Sequence, residues 1–252
     1  MKIARILAVI AALALPAAAI AATPAPAPVP GIVLVHGALT DGSGWQGVAA
    51  ILEKDGYRVR VVQEPLTGLD EDVAATQRVL DQLDGPVVLV GHSYGGSVIT
   101  VAGADPKVRA LVYVAALQPE VGETTGQLAG SMPPPSDDLK RSRDGFVFLD
   151  PADFAADFAA DLPKAQAWFM AISQMPLSAA VFGAKVTVAS WHDKPSWGIV
   201  ASRDRALNPD LERWMYQRSG ARTTEIKASH AVYISEPRAV ARVIEAAARS
   251  VR

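Results

Sequence analysis

Gly91-His92-Ser93-Tyr94-Gly95 is a G-x-S-x-G pattern that follows an apolar run, Val87 to Val90, and leads into a helical stretch, Gly95 to Ala104. A serine at such a strand-to-helix turn sits in a strained backbone conformation with its hydroxyl lifted above the sheet edge, so its close neighbours must lack bulky side chains. Gly91 and Gly95 meet that need, and Gly96 lets the helix pack closely. Ser93 is the candidate nucleophile. A hydroxyl is a weak nucleophile until a base takes its proton, and the chain holds four histidines. His92 belongs to the turn itself. His36 ends the first apolar run, where a structural hydrogen bond to the following loop is its expected role. His192 comes just before a later strand. His230 follows the run Thr224 to Lys227 and precedes a helix, on the same sheet edge as Ser93. A neutral imidazole there can accept the serine proton and pass it to a leaving group.

The third member should be a carboxylate lying between Ser93 and His230 in the chain, the order that serines in such turns follow. Its work is to hold the imidazole in one tautomer and stabilise its cation. Asp204 closes the segment Gly198-Ile-Val-Ala-Ser-Arg-Asp204, a strand and short turn on the correct edge, and is the first choice. Asp193 precedes that strand and faces the wrong edge, and Asp210 reads as an N-terminal helix residue. Glu120, just after the preceding strand, is the rival. Negative charge developing on a substrate oxygen needs donors as well. The backbone N–H groups of Tyr94, after the nucleophile, and of Ala38, after His36-Gly37 at the end of the first strand, are the candidate oxyanion hole.

Positioning these groups requires several strands to end on one edge, and the chain has that rhythm. Short apolar runs alternate with amphipathic stretches from Gly31 onward, as in a mostly parallel sheet flanked by helices. Strands are expected at 32–35, 57–62, 87–90, 110–115, 198–201 and 224–227. Helices are expected at 45–55, 69–83, 95–104 and 210–218, with a closing helix from Pro237. The alternation stops from about 117 to 194, a stretch holding Met132-Pro-Pro-Pro135 and a helical-looking segment from Pro151 to Met175. An insertion of this size in a regular α/β pattern reads as a lid over a site. Phe154, Phe158, Trp168, Phe169 and Met170 within it are candidates for an apolar substrate pocket.

The 252 residues are half apolar and one-fifth charged, which suits one domain over 31–252. Zero cysteines exclude disulfides and thiolate metal sites. Residues 1–21 carry Lys2 and Arg5, an apolar run from Ile6 to Leu15, Pro16, and small residues at Ala19-Ile20-Ala21. This is the pattern of a secretory signal peptide, which implies a periplasmic or secreted protein without a membrane span once it is cleaved. Residues 22–30, rich in Pro and Ala, read as an extended tether. Cleavage after Ala21 removes two basic residues and takes the net charge from 24 − 26 = −2 to 22 − 26 = −4. With no basic run, nucleic acid is not an expected partner.

The segments HGALTDGSGW (36–45), GHSYGG (91–96), WGIVASRDRALNPD (197–210) and SHAVYISEP (229–237) resemble the α/β-hydrolase superfamily, within it the branch of plant methylesterases, hydroxynitrile lyases and related bacterial carboxylesterases. The resemblance implies an α/β-hydrolase fold, Ser93, Asp204 and His230 as a triad, hydrolysis of small carboxylic esters through an acyl-enzyme, and no metal or organic cofactor. The lyases of that branch carry Thr after the first-strand His and Lys after the catalytic His; Gly37 and Ala231 stand there instead, which favours the esterase. Related dehalogenases and epoxide hydrolases place Asp where this chain has Ser93. A lactonase, amidase, carbon–carbon hydrolase or perhydrolase on the same triad is the alternative, and a non-catalytic small-molecule binder is a third reading.

Overall fold

The computed structural model describes residues 29–136 and 138–251; the expected signal peptide and most of the tether lie outside the described residues. The chain enters on β1 (Gly31–Val35), followed by a short 3-10 turn at Gly42–Trp45, α1 (Gln46–Lys54), β2 (Arg58–Val61), α2 (Leu69–Leu80), β3 (Val87–His92), α3 (Gly95–Ala102) and β4 (Val108–Val114). An insertion follows: α4 (Thr125–Ser131), β5 (Leu139–Arg141), β6 (Phe146–Leu149), α5 (Pro151–Asp157), α6 (Lys164–Ile172) and β7 (Leu177–Ser178). The main rhythm resumes with β8 (Ser196–Ala201), α7 (Pro209–Ser219), β9 (Arg222–Ile226), the single-turn α8 (Val232–Ser235) and α9 (Pro237–Ser250).

Six strands form one parallel sheet in the order β2-β1-β3-β4-β8-β9. Strands covered on both faces need apolar side chains pointing both ways, which is why β1, β3 and β8 are buried along their whole length. The two-residue period sorts those side chains. Val33, Val35, Leu89, Leu111 and Val200 pack under α2, α3 and α7, while Ile32, Leu34, Val88, Val90 and Val112 pack under α1 and α9. From β1 the chain moves outward to β2, and from β3 it moves the other way. The carboxyl ends of β1 and β3 therefore flank a crevice where the direction reverses, the usual binding position in such sheets.

The insertion differs from the single long helix read from 151–175. The first helical stretch ends at Asp157 and Pro163 stands at the start of the second, so α5 and α6 are separate helices packed on one another. β5, β6 and β7 add a small antiparallel sheet. A third apolar cluster, which includes Leu149, Phe154, Phe158 and Ala167, joins the insertion to Leu39 and Ala231 beside the crevice.

Candidate active site

Ser93 sits between β3 and α3 with φ at +53°, a left-handed conformation that a non-glycine residue adopts only when its surroundings hold it there. They do so through the backbone. Ser93 N–H donates to Val114 (3.2 Å), and Ser93 C=O accepts from Gly96 (3.0 Å) and Leu117 (3.1 Å). The turn is tight enough that a Cβ on Gly91 would stand 2.5 Å from the carbonyl oxygen of Gly95. This is the physical basis of the G-x-S-x-G spacing.

Asp204 meets His230. Its Oδ2 accepts from His230 Nδ1 at 2.5 Å, and its Oδ1 accepts from the amides of Ala206 and Leu207, both at 2.8 Å. Those amide bonds lock the carboxylate in place and leave one oxygen for the imidazole, whose Nε2 is then the basic nitrogen. His230 is buried, and its ring lies edge-on to Phe158 at 4.7 Å. His230 and Ser93 border the same cavity, of about 280 Å³. Glu120, the rival acid, is elsewhere, paired with the half-exposed His192 at 2.8 Å.

The other two histidines are structural. His92 Nε2 donates to the carbonyl of His230 at 3.0 Å, tying the Ser93 turn to the His230 loop. Burial, and then the nearby His230, push the His92 pKa well down, so this ring stays neutral. His36 lies at the end of β1, buried, with hydrogen bonds to Gly37 and Glu64.

Ala38 and Tyr94 both border the cavity beside Ser93, and among the described residues neither backbone N–H has a hydrogen-bond partner. The Tyr94 hydroxyl donates to Asp72 Oδ2 at 2.8 Å, anchoring the residue to α2.

Of the five insertion residues read as pocket candidates, Phe158 borders the Ser93 cavity. Phe154 is fully buried and stacked on Phe158, 4.9 Å between ring centres. Trp168 and Phe169 are more than half exposed, and Phe169 and Met170 face a separate groove beside Asp41 and Gln46. The helical period of α6 turns these three away from the serine. The cavity wall comes instead from α4 and the small sheet, including Ala129, Val147, Leu149 and Leu177.

Three carboxylates near the site carry no sequence motif. Asp161 accepts from Ser229, Glu212 accepts from the Ala201 amide at 3.1 Å beside Asp204, and Glu64 lies buried next to His36. Burial first, then the Asp204 charge, push the Glu212 carboxyl well above its ordinary range. Each is brought in by long-range packing, and no local spacing signals them. Among the described residues no group of three or more His, Asp or Glu side chains could hold a metal ion, and no helix is long and apolar enough to cross a membrane.

The family model described as "Alpha/beta hydrolase family" matches residues 32–243, spanning the sheet and every site residue named above. The chain belongs to the α/β-hydrolase family. It is 28% identical over 246 residues to an α/β hydrolase of Aspergillus novofumigatus, covering 87% of this chain and 96% of that one. It is 39% identical over 118 residues to a carbendazim-hydrolyzing esterase of Nocardioides, covering 41% and 48%. Among solved structures, a pyrethroid hydrolase from Sphingobium faniae superposes with a TM-score of 0.75 at 23% identity, over 88% of this chain and 98% of that one. At that identity the likeness speaks for this hydrolase's fold alone.

Proposed function

We propose that this α/β hydrolase is a serine esterase that cleaves small, uncharged carboxylic esters through an acyl-enzyme. The observation that carries the reading is the His230–Asp204 hydrogen bond in a chain whose Ser93 borders the same apolar cavity as that histidine. Esterase-named relatives, among them methylesterases of Arabidopsis thaliana, support it.

In the proposed first step His230 Nε2 takes the Ser93 proton while Oγ attacks the ester carbonyl. The amides of Ala38 and Tyr94 receive the developing oxyanion, and donors fixed in advance in a dry site spend no energy on reorienting as charge develops. The tetrahedral intermediate collapses, the C–O bond to the alcohol breaks, and the alcohol leaves with the proton from His230. Water, deprotonated by the same nitrogen, then attacks the acyl-enzyme and releases the acid.

The cavity wall argues for the substrate's polarity. Among the described residues it is mostly apolar, has no lysine or arginine, and carries one carboxylate, Asp138. Such a wall suits a neutral ester. The test is hydrolysis of p-nitrophenyl acetate, butyrate and octanoate, with Ser93→Ala in parallel. Turnover that disappears in Ser93→Ala supports a serine esterase. Folded wild-type protein that turns over none of the three contradicts it.

A further inference from the structure

The geometry points to His36 as a positioning residue for acyl transfer: its ring fixes the plane of the Gly37–Ala38 peptide and thereby aims the Ala38 amide at the Ser93 side. The inference rests on the esterase reading for its kinetic consequences, but its structural core stands apart from it.

The tautomer of His36 follows from its two partners. The Glu64 amide donates to Nε2 at 3.0 Å, so Nε2 must be the bare nitrogen, and the ring proton is on Nδ1. Nδ1 lies 2.8 Å from the Gly37 carbonyl oxygen and donates to it. Thr40 Oγ1 adds a second, longer bond to the same oxygen at 3.3 Å. In a planar trans peptide the C=O and the following N–H point in opposite directions. Holding the Gly37 carbonyl toward His36 therefore turns the Ala38 N–H the other way.

That other way is the reacting side. A Cβ on Gly37 would stand 2.7 Å from Ser93 Cβ, so this peptide lies directly against the nucleophile. Ala38 and Ser93 border one cavity. The loop does not hold this shape unaided, since Leu39, the next residue, has φ at +65°, a left-handed conformation that is unfavourable for a leucine. Without the His36 contact the peptide can rotate, and a carbonyl oxygen rather than an N–H would then face the oxyanion. The ring suits the task because it is fully buried, and burial lowers its pKa, so Nε2 remains an acceptor at neutral pH. Burial also pushes the neighbouring Glu64 carboxyl well above its ordinary range.

Two readouts test this. Kinetics of His36→Leu and His36→Asn on p-nitrophenyl butyrate come first, since asparagine keeps a donor near the Nδ1 position. His36→Leu should lower kcat by about 100-fold, the scale of losing one oxyanion donor. KM should stay within about 3-fold, and His36→Asn should regain about 10-fold of the loss. A folded His36→Leu protein with kcat within about 3-fold of wild type overturns the inference, as does a loss that asparagine does not relieve. The second readout is ¹⁵N NMR of the imidazole in wild-type protein, which needs no variant to fold. A proton on Nδ1 is expected, and a proton on Nε2 overturns the inference. Wild-type protein without ester turnover would remove the esterase reading, and the NMR result would still decide the role of the ring.

Discussion

Asp161, in the insertion, accepts both the backbone N–H and the hydroxyl of Ser229, the residue before His230, at 2.8 and 2.5 Å. The same carboxylate accepts from Ser235, and the Phe158 carbonyl accepts from the Ala231 amide at 3.0 Å. The insertion is thus more than a cover. It grips the loop that carries the proposed base from both sides.

Removing that grip should act on rate. Asp161→Ala leaves Ser229 without its partner and frees the loop, and each hydrogen bond to a charged acceptor is worth about 1.5–3 kcal/mol. We expect kcat to fall about 10-fold, with Asp161→Asn intermediate. Steady-state kinetics on p-nitrophenyl butyrate checks this, and wild-type kcat in Asp161→Ala would show that the loop holds itself.

The acid of the proposed triad is testable by a pair of substitutions. Asp204→Asn reverses the donor–acceptor sense at His230 Nδ1 and should cost about 10³–10⁴ in kcat. Glu120→Gln touches the His192 pair and the bond Glu120 accepts from the Val121 amide, and should leave kcat within about 2-fold. Measured side by side, the opposite ranking would hand the acid role to Glu120.

Glu64 should make stability depend on pH. Its carboxyl is buried, neither oxygen has a hydrogen-bond partner among the described residues, and burial and then the Asp72 charge push its pKa well above 4.5. The folded state therefore keeps a proton that the unfolded state releases. Stability from this group is full below about pH 4.5 and declines as pH rises above it, by up to about 1.4 kcal/mol per unit until the raised pKa is reached. Glu64→Gln has no such proton to lose. Urea unfolding at pH 5, 6 and 7 should show the wild type declining relative to Glu64→Gln, and parallel curves would contradict a protonated Glu64.

The cavity should reject anionic substrates. A carboxylate placed on the acyl chain would enter a wall without lysine or arginine, and an unpaired buried charge costs about 3–5 kcal/mol. The p-nitrophenyl half-ester of succinic acid should be cleaved at least about 100-fold more slowly, by kcat/KM, than p-nitrophenyl butyrate. Similar values would mean that a cation reaches the acyl site.

What could be read from residue order alone follows the range of the forces involved. The Ser93 turn is a local device, since glycine at 91 and 95 and an apolar run before them suffice to specify it, and β1 with His36-Gly37 is equally local. The closeness of Asp204 and His230 was legible because two strand ends, β8 and β9, deliver them to one edge. The insertion was not. β7 has two residues and β5 three, too few for a period to register. Phe154 and Trp168 share the composition expected of a pocket, yet one is core and the other surface, because only packing decides which way α5 and α6 face. Asp161 reaches Ser229 across 68 residues, a contact that no spacing rule anticipates.

The central claim is that Ser93 carries the acyl group. Wild-type protein quenched in acid during turnover of p-nitrophenyl butyrate, digested and mapped by mass spectrometry, should show one butyryl group on the peptide containing Ser93. The adduct should accumulate further in His230→Ala, if the reaction is started with a more reactive ester. A butyryl group on any other residue, or turnover without an adduct on Ser93 at any quench time, would contradict the account.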